Sequence, residues 1–114
     1  MYNIEEVNVT TLAEWLAQGE AISLVDVRSP AEMNRGMIEN AAPLPMHLVP
    51  LHPPEPKSDE RLVIYCRSGA RSAQVCAFLG QRGMTDIYNL RGGIIAWQSA
   101  GLPLVRPESD VLAG

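Results

Sequence analysis

Apolar positions along the chain fall into short runs separated by polar breaks, and their spacing changes from run to run. Leu12, Trp15 and Leu16 recur at helical spacing, with Thr10 or Thr11 able to cap that helix and Gly19 placed to stop it. The next run, Ala21 to Val27, is apolar almost throughout, which predicts a buried strand of a parallel sheet. Ser29-Pro30-Ala31-Glu32 then carries two helix-start signals, a capping box and a proline at the first helical position. This helix is short and ends near Gly36. Ala42-Pro-Leu-Pro45 predicts a brief edge strand, because proline cannot donate to a central ladder.

Residues 47–60 hold four prolines and both histidines, His47 and His52, and read as a surface connection with one helical turn around Leu48 to Leu51. Arg61 to Tyr65 is the next strand, followed by a long helix from Ser72 to Arg82 that Gly83 closes. Asp86 to Leu90 is a further strand, and a last helix runs from Gly93 to Ala100 before Gly101 and Pro103 end it. Trp97, Ile94 and Ile95 are core candidates. Strand and helix alternate, so an α/β sandwich around a mainly parallel sheet is expected. Residues 1–105 are read as one domain and 106–114 as a frayed tail.

Composition narrows the class. Apolar residues make up 46% of the 114, which favours a folded domain with one core. No apolar stretch approaches the 18 or so residues that cross a bilayer, and the first six residues carry acids where a signal peptide carries bases. The expectation is a cytoplasmic protein with no membrane partner. A net charge of −4 argues against nucleic acid as a partner. It also makes any local cluster of arginines informative, because a positive pocket in an acidic protein has to be built. Two cysteines, Cys66 and Cys76, make no disulfide framework and no zinc-ligand spacing. No organic cofactor is expected either, if a reactive cysteine itself carries the transferred group.

The chemistry concentrates between the third strand and the helix after it. Cys66 closes the strand and opens the loop Cys66-Arg67-Ser68-Gly69-Ala70-Arg71, which runs into the helix at Ser72. In parallel sheets ligands bind beyond the carboxyl ends of the strands. A thiol there meets loop N–H groups and the positive end of a helix dipole, and both favour the thiolate. Gly69 allows the backbone to close around the sulfur, so that N–H groups from Arg67 through Ala70 to Ser72 form a nest. Arg67 and Arg71 can each offer planar donors to an oxyanion, while Ser68 and Ser72 read as helix caps or substrate contacts. Asp26 and Arg28 end the neighbouring strand and read as a structural ion pair near the site. Cys76 shares a small-residue stripe with Ala73, Ala77 and Gly80 and reads as helix packing on the sheet.

Taken in order, Leu24-Val-Asp-Val-Arg28, Ser29-Pro-Ala-Glu32, Gly36-Met-Ile38, Asn40-Ala-Ala42, Ile64-Tyr-Cys-Arg-Ser-Gly-Ala-Arg-Ser72, Asn89-Leu-Arg-Gly-Gly93, Ala96-Trp97 and Gly101-Leu-Pro103 resemble the rhodanese family of sulfurtransferases. The resemblance implies a five-stranded sheet with helices on both faces. It also implies a Cys66 persulfide that carries sulfane sulfur from thiosulfate or a related donor to cyanide, glutathione or a protein thiol. Met37 departs from the family, which usually places His there, and this bears on local packing. Two other readings stay open. One is a sulfur-relay or binding module. The other is a cysteine phosphatase or arsenate reductase on the same fold, but those enzymes carry one more residue between Cys and Arg than the four found here.

Overall fold

The computed structural model describes residues 4–107. The chain runs β1 (Glu5–Val7), α1 (Val9–Ala17), β2 (Ile22–Asp26), α2 (Pro30–Met33), β3 (Ala42–Pro43), a 3-10 turn (Met46–Leu48), β4 (Arg61–Tyr65), α3 (Ala70–Gln81), β5 (Ile87–Leu90) and α4 (Gly93–Ser99). The strands form one five-stranded sheet in the order β1-β5-β4-β2-β3, and every pairing is parallel. β4 is central, so the strand that delivers Cys66 is the one held on both sides.

Side chains alternate across a strand, and that alternation divides the core in two. Leu62, Ile64 and Cys66 point with Val25 and Val27 to one face, where Val75, Cys76 and Leu79 of α3 cover them. Val63 and Tyr65 point with Leu24 to the other face, against Leu12 of α1 and Ile94 and Trp97 of α4. Helices thus lie on both faces of the five-stranded sheet, the architecture that the resemblance implied. α3 buries Ser72, Val75, Cys76 and Leu79, a stripe at i, i+3, i+4 and i+7.

Several boundaries differ from the sequence expectation, each for a local reason. Asn8, not Thr10 or Thr11, caps α1, its Oδ1 accepting the Thr11 N–H at 2.8 Å. Asn is as good a cap as Thr and stands one turn ahead of it. α3 starts at Ala70 rather than Ser72, because Gly69 with φ +112° launches the helix two residues earlier. The turn expected around Leu48 to Leu51 is present, with the Leu51 and His52 N–H groups donating to Leu48 O at 3.0 and 2.9 Å, and a 3-10 turn at Met46–Leu48, tied by the Met46 N–H bond to Val27 O at 3.0 Å, precedes it. Ile95, expected in the core, is 40% exposed, while Ile94 and Trp97 are buried.

β1 was not foreseen. It is a three-residue edge strand with only Val7 buried, too short to show a period. Its partner β5 and the Arg91–Glu6 contacts at 3.0 and 3.1 Å hold it from residues far along the chain. Met37 is buried, 4% exposed, and its backbone forms a two-bond bridge with Val105, at 2.7 and 2.8 Å. The expected tail from residue 106 lies, beyond residue 107, outside the described residues.

Candidate active site

Cys66 sits one residue beyond β4, and its side chain is directed by the alternation of that strand toward the N-terminus of α3. Gly69 caps α3 with no capping side chain. The sulfur takes part of that role. Sγ accepts the Gly69 N–H at 3.1 Å and lies 3.3 Å from Ser72 Oγ. Burial raises the Cys66 pKa, but the Ser72 hydroxyl and the N–H groups of Ser72, Gly69 and Ser68 outweigh it, and the net displacement is downward. Cys76 is pushed up to about 12, by burial first and then by the negative charges of Cys66 and Glu6.

The contrast yields a direct measurement. Followed by peptide mapping against pH, alkylation should label Cys66 with a midpoint below that of a free cysteine, roughly 8.5. Cys76 should stay unlabelled in the native state up to pH ~10. A Cys66 midpoint at or above the free value would mean that the loop does not stabilise the thiolate.

The loop carbonyls are held from the opposite side. The Ile94 N–H donates to Cys66 O at 3.0 Å and the Ile95 N–H to Arg67 O at 3.2 Å, so the start of α4 takes the carbonyls while the N–H groups face the sulfur. Gly93 makes this approach possible. Its φ is +58°, and a Cβ there would lie 2.4 Å from Arg67 O and 2.6 Å from Cys66 O. Gly93 belongs to the Asn89-Leu-Arg-Gly-Gly93 motif, the signal that could have marked it.

The two loop arginines are not equivalent. Arg71 makes a bidentate ion pair with Glu32, at 2.7 and 2.9 Å. Arg71 holds the Glu32 carboxyl well below its usual range, at about 2, against a smaller opposing effect of burial. Glu32 also completes the capping box of α2, its Oε1 accepting from Ser29 N at 3.0 Å. Its second job spans 39 positions and was not read from the sequence. Arg67 is exposed and makes no ion pair among the described residues. It lines a groove of about 290 Å³ together with Arg35, Ile94, Ile95, Gln98 and Leu104.

Ser68 and Ala70 are exposed, and Ser72 is fully buried. Ser72 does not cap α3. Its hydroxyl stands between Cys66 Sγ and Asn89 Oδ1, the latter at 2.5 Å. Asn89, 2% exposed, was not singled out from the sequence, although it opens the same motif that ends in Gly93.

Asp26 and Arg28 form a buried pair, Arg28 Nε meeting both carboxylate oxygens at 3.0 Å and Nη2 meeting Oδ2 at 2.8 Å. Arg28 Nη2 also donates to Gly36 O at 2.6 Å, which ties the end of β2 to the turn after α2. The Arg28 side chain forms part of the groove wall beside Arg67. His47 and His52 are exposed. Among the described residues no group of three His, Cys, Asp or Glu side chains is arranged to hold a metal, and no helix is long and apolar enough to cross a membrane.

Known proteins are similar to this chain in sequence and fold. The rhodanese-like domain family matches residues 8–100. A sulfurtransferase of Allochromatium vinosum is 52% identical over 105 residues, which cover 92% of this chain and 98% of the relative. A thiosulfate sulfurtransferase of Shewanella oneidensis is 27% identical over 100 residues, covering 88% of this chain and 98% of that protein. Among solved structures, a rhodanese-like domain protein from Staphylococcus aureus superposes with a TM-score of 0.81 at 30% identity, covering 92% of this chain and all of the other. With a thiol cradled between β4 and α3 and relatives that transfer sulfur, the chain belongs to the rhodanese-like domain family and is an enzyme of the sulfurtransferase type.

Proposed function

We propose that Cys66 is the nucleophile and carries sulfane sulfur as a persulfide. The observation that supports this most directly is the cradle: the Cys66 sulfur accepts an amide N–H at 3.1 Å at the start of a helix, in a pocket of hydrogen-bond donors. The thiolate attacks the outer sulfur of thiosulfate. A Sγ–S bond forms, the S–S bond to the sulfonate breaks, and sulfite leaves with the electron pair. The negative charge then rests on the outer sulfur, within reach of the loop N–H groups. A thiophilic acceptor (cyanide, a small thiol or a protein thiol) attacks that sulfur and returns Cys66 to the thiolate. The chemistry needs no metal or organic cofactor, because the cysteine itself holds the group.

Arg67 is the residue proposed to meet the oxyanion end of the donor. Among the described residues neither its guanidinium nor that of Arg35, which lines the same groove, makes an ion pair. Arg71 is assigned a supporting part, since Glu32 already occupies its two terminal nitrogens. A reducing, cytoplasmic setting suits the two free thiols.

Intact-protein mass spectrometry after incubation with thiosulfate, polysulfide or glutathione persulfide tests the proposal. Cys66 should gain one sulfur atom from at least one donor, Cys66→Ser should gain none, and Cys76→Ser should behave as wild type. Absence of uptake from every donor would remove the persulfide mechanism. So would Cys66-dependent hydrolysis of aryl phosphates, which the tight loop of four residues between Cys66 and Arg71 disfavours.

A further inference from the structure

Ser72 has one hydroxyl proton and two acceptors within reach. Its Oγ is 3.3 Å from Cys66 Sγ and 2.5 Å from Asn89 Oδ1. Asn89 is held in one orientation, because its Nδ2 donates to Gly69 O at 3.1 Å. The flipped amide would set its oxygen against that carbonyl and its nitrogen against the hydroxyl. Ser72 and Asn89 are 0% and 2% exposed, so water does not compete for either group. The same Gly69 whose carbonyl holds Asn89 donates its N–H to the sulfur.

We propose that Asn89 is a positioning residue that competes with the Cys66 sulfur for the Ser72 hydroxyl, and so sets which state of the sulfur is favoured. The inference rests on Cys66 as the reactive group. With the thiol protonated, S–H donates to Ser72 Oγ and the hydroxyl donates to Asn89, which satisfies all three groups. When the thiol loses its proton to solvent, the Ser72 O–H turns about its own C–O bond to face the sulfur, and no covalent bond changes. Asn89 Oδ1 then loses its donor while a hydroxyl oxygen lone pair stands against it, a cost borne by the thiolate state alone. Once an outer sulfur is attached, Sγ is neutral, the charge has moved outward to the loop N–H groups, and the hydroxyl returns to Asn89.

Asn89 therefore works against the free thiolate and in favour of the loaded state. The loop alone would depress the Cys66 pKa further and make a weaker nucleophile, since nucleophilicity falls with thiol pKa. Asn89 keeps the sulfur reactive.

The charged groups on the elements packed about the loop are Arg67 of the loop itself, Arg71 of α3 with Glu32 of α2, and Asp26 with Arg28 at the end of β2; of these Arg71 interacts electrostatically with Cys66, as does Cys76, the other thiol on the α3 face. None of them hydrogen-bonds Ser72 or Asn89, and all are retained in the variants used for the test.

The test is the pH midpoint of Cys66 alkylation in Asn89→Leu, Ser72→Ala and the double variant. Asn89→Leu should lower the midpoint by about half to one pH unit, since the hydroxyl is then free for the sulfur, and Ser72→Ala should raise it by a similar amount. In the Ser72→Ala background, Asn89→Leu should leave the midpoint unchanged. If Asn89 only braced the loop through Gly69 O, Asn89→Leu would raise the midpoint, and would do so with or without Ser72; either result overturns the proposal. A second measurement needs no substitution. In wild-type protein the NMR resonance of the Asn89 side-chain carbonyl should titrate with the Cys66 midpoint and return when sulfur is loaded. A resonance that ignores the ionisation of Cys66 would equally overturn it. Both readouts of the thiol state remain available if no donor loads Cys66, so a failed persulfide mechanism and a failed role for Asn89 give different results.

Discussion

Asp26→Ala should destabilise the protein by about 3–5 kcal/mol, the cost of leaving one member of a buried ion pair without its partner. The Arg28 guanidinium is nearly sealed from solvent, its side chain 6% exposed and that of Asp26 0%. Asp26 accepts from Arg28 Nε and Nη2 and also from the Arg28 backbone N–H at 2.9 Å. With the carboxylate gone, Arg28 keeps only the bond to Gly36 O and a position 5.8 Å from the Tyr65 ring. The Tyr65 hydroxyl, which accepts the Ile38 N–H at 3.0 Å, loses its anionic neighbour as well. Burial and the nearby Asp26 charge together push the Tyr65 pKa upward. A domain of this size has about 5–15 kcal/mol of stability in all, so the loss is a large fraction. Urea unfolding measures it directly. Replacing both partners by apolar residues of similar volume should recover most of the loss, as no charge is then stranded. A cost below about 1 kcal/mol for Asp26→Ala would mean that water reaches the Arg28 guanidinium.

The pair shows how far local sequence carries the argument. Asp26 and Arg28 are two residues apart, and their association was legible because both sides of the contact lie on one strand end. The same holds for the capping box at Ser29 and Glu32, for the apolar runs of β2 and β4, and for the thiol at the junction of a strand and a helix. Contacts that decide the site across long separations were not legible. The pairing of Arg71 with Glu32 joins residues 39 positions apart, and a carboxylate already explained as a helix cap gave no sign of a second partner. Asn89 reaches Ser72 over 17 positions and is visible only once β5 is known to lie beside β4. β1 needed the same knowledge. Three residues, two of them exposed acids, carry no period, and their strand conformation comes from the edge of β5.

Gly93→Ala should reduce sulfur transfer on the order of a hundredfold, the penalty for moving reacting groups by about 1 Å. Its Cβ would stand 2.4 Å from Arg67 O, 2.6 Å from Arg67 C and 2.6 Å from Cys66 O. These are backbone atoms of the loop itself, and no side-chain rotation relieves the overlap. Either the loop or the start of α4 must move, and the two carbonyl bonds from Ile94 and Ile95 are lost with the movement. The loop N–H groups then turn away from Sγ, so the Cys66 alkylation midpoint should rise together with the loss of activity. Positive φ is a separate cost, about 1–2 kcal/mol for alanine, and a control isolates it. Gly101 has φ +78° with nothing within 4 Å of its would-be Cβ. Gly101→Ala should therefore lose similar stability from backbone strain and keep both the transfer rate and the midpoint of the wild type. If the two variants lost activity alike, strain and not contact would be the cause. If Gly93→Ala transferred sulfur at the wild-type rate, the close approach of α4 would not be what orients the loop, and the N–H groups around Cys66 would have to be held by Gly69 and Asn89 alone.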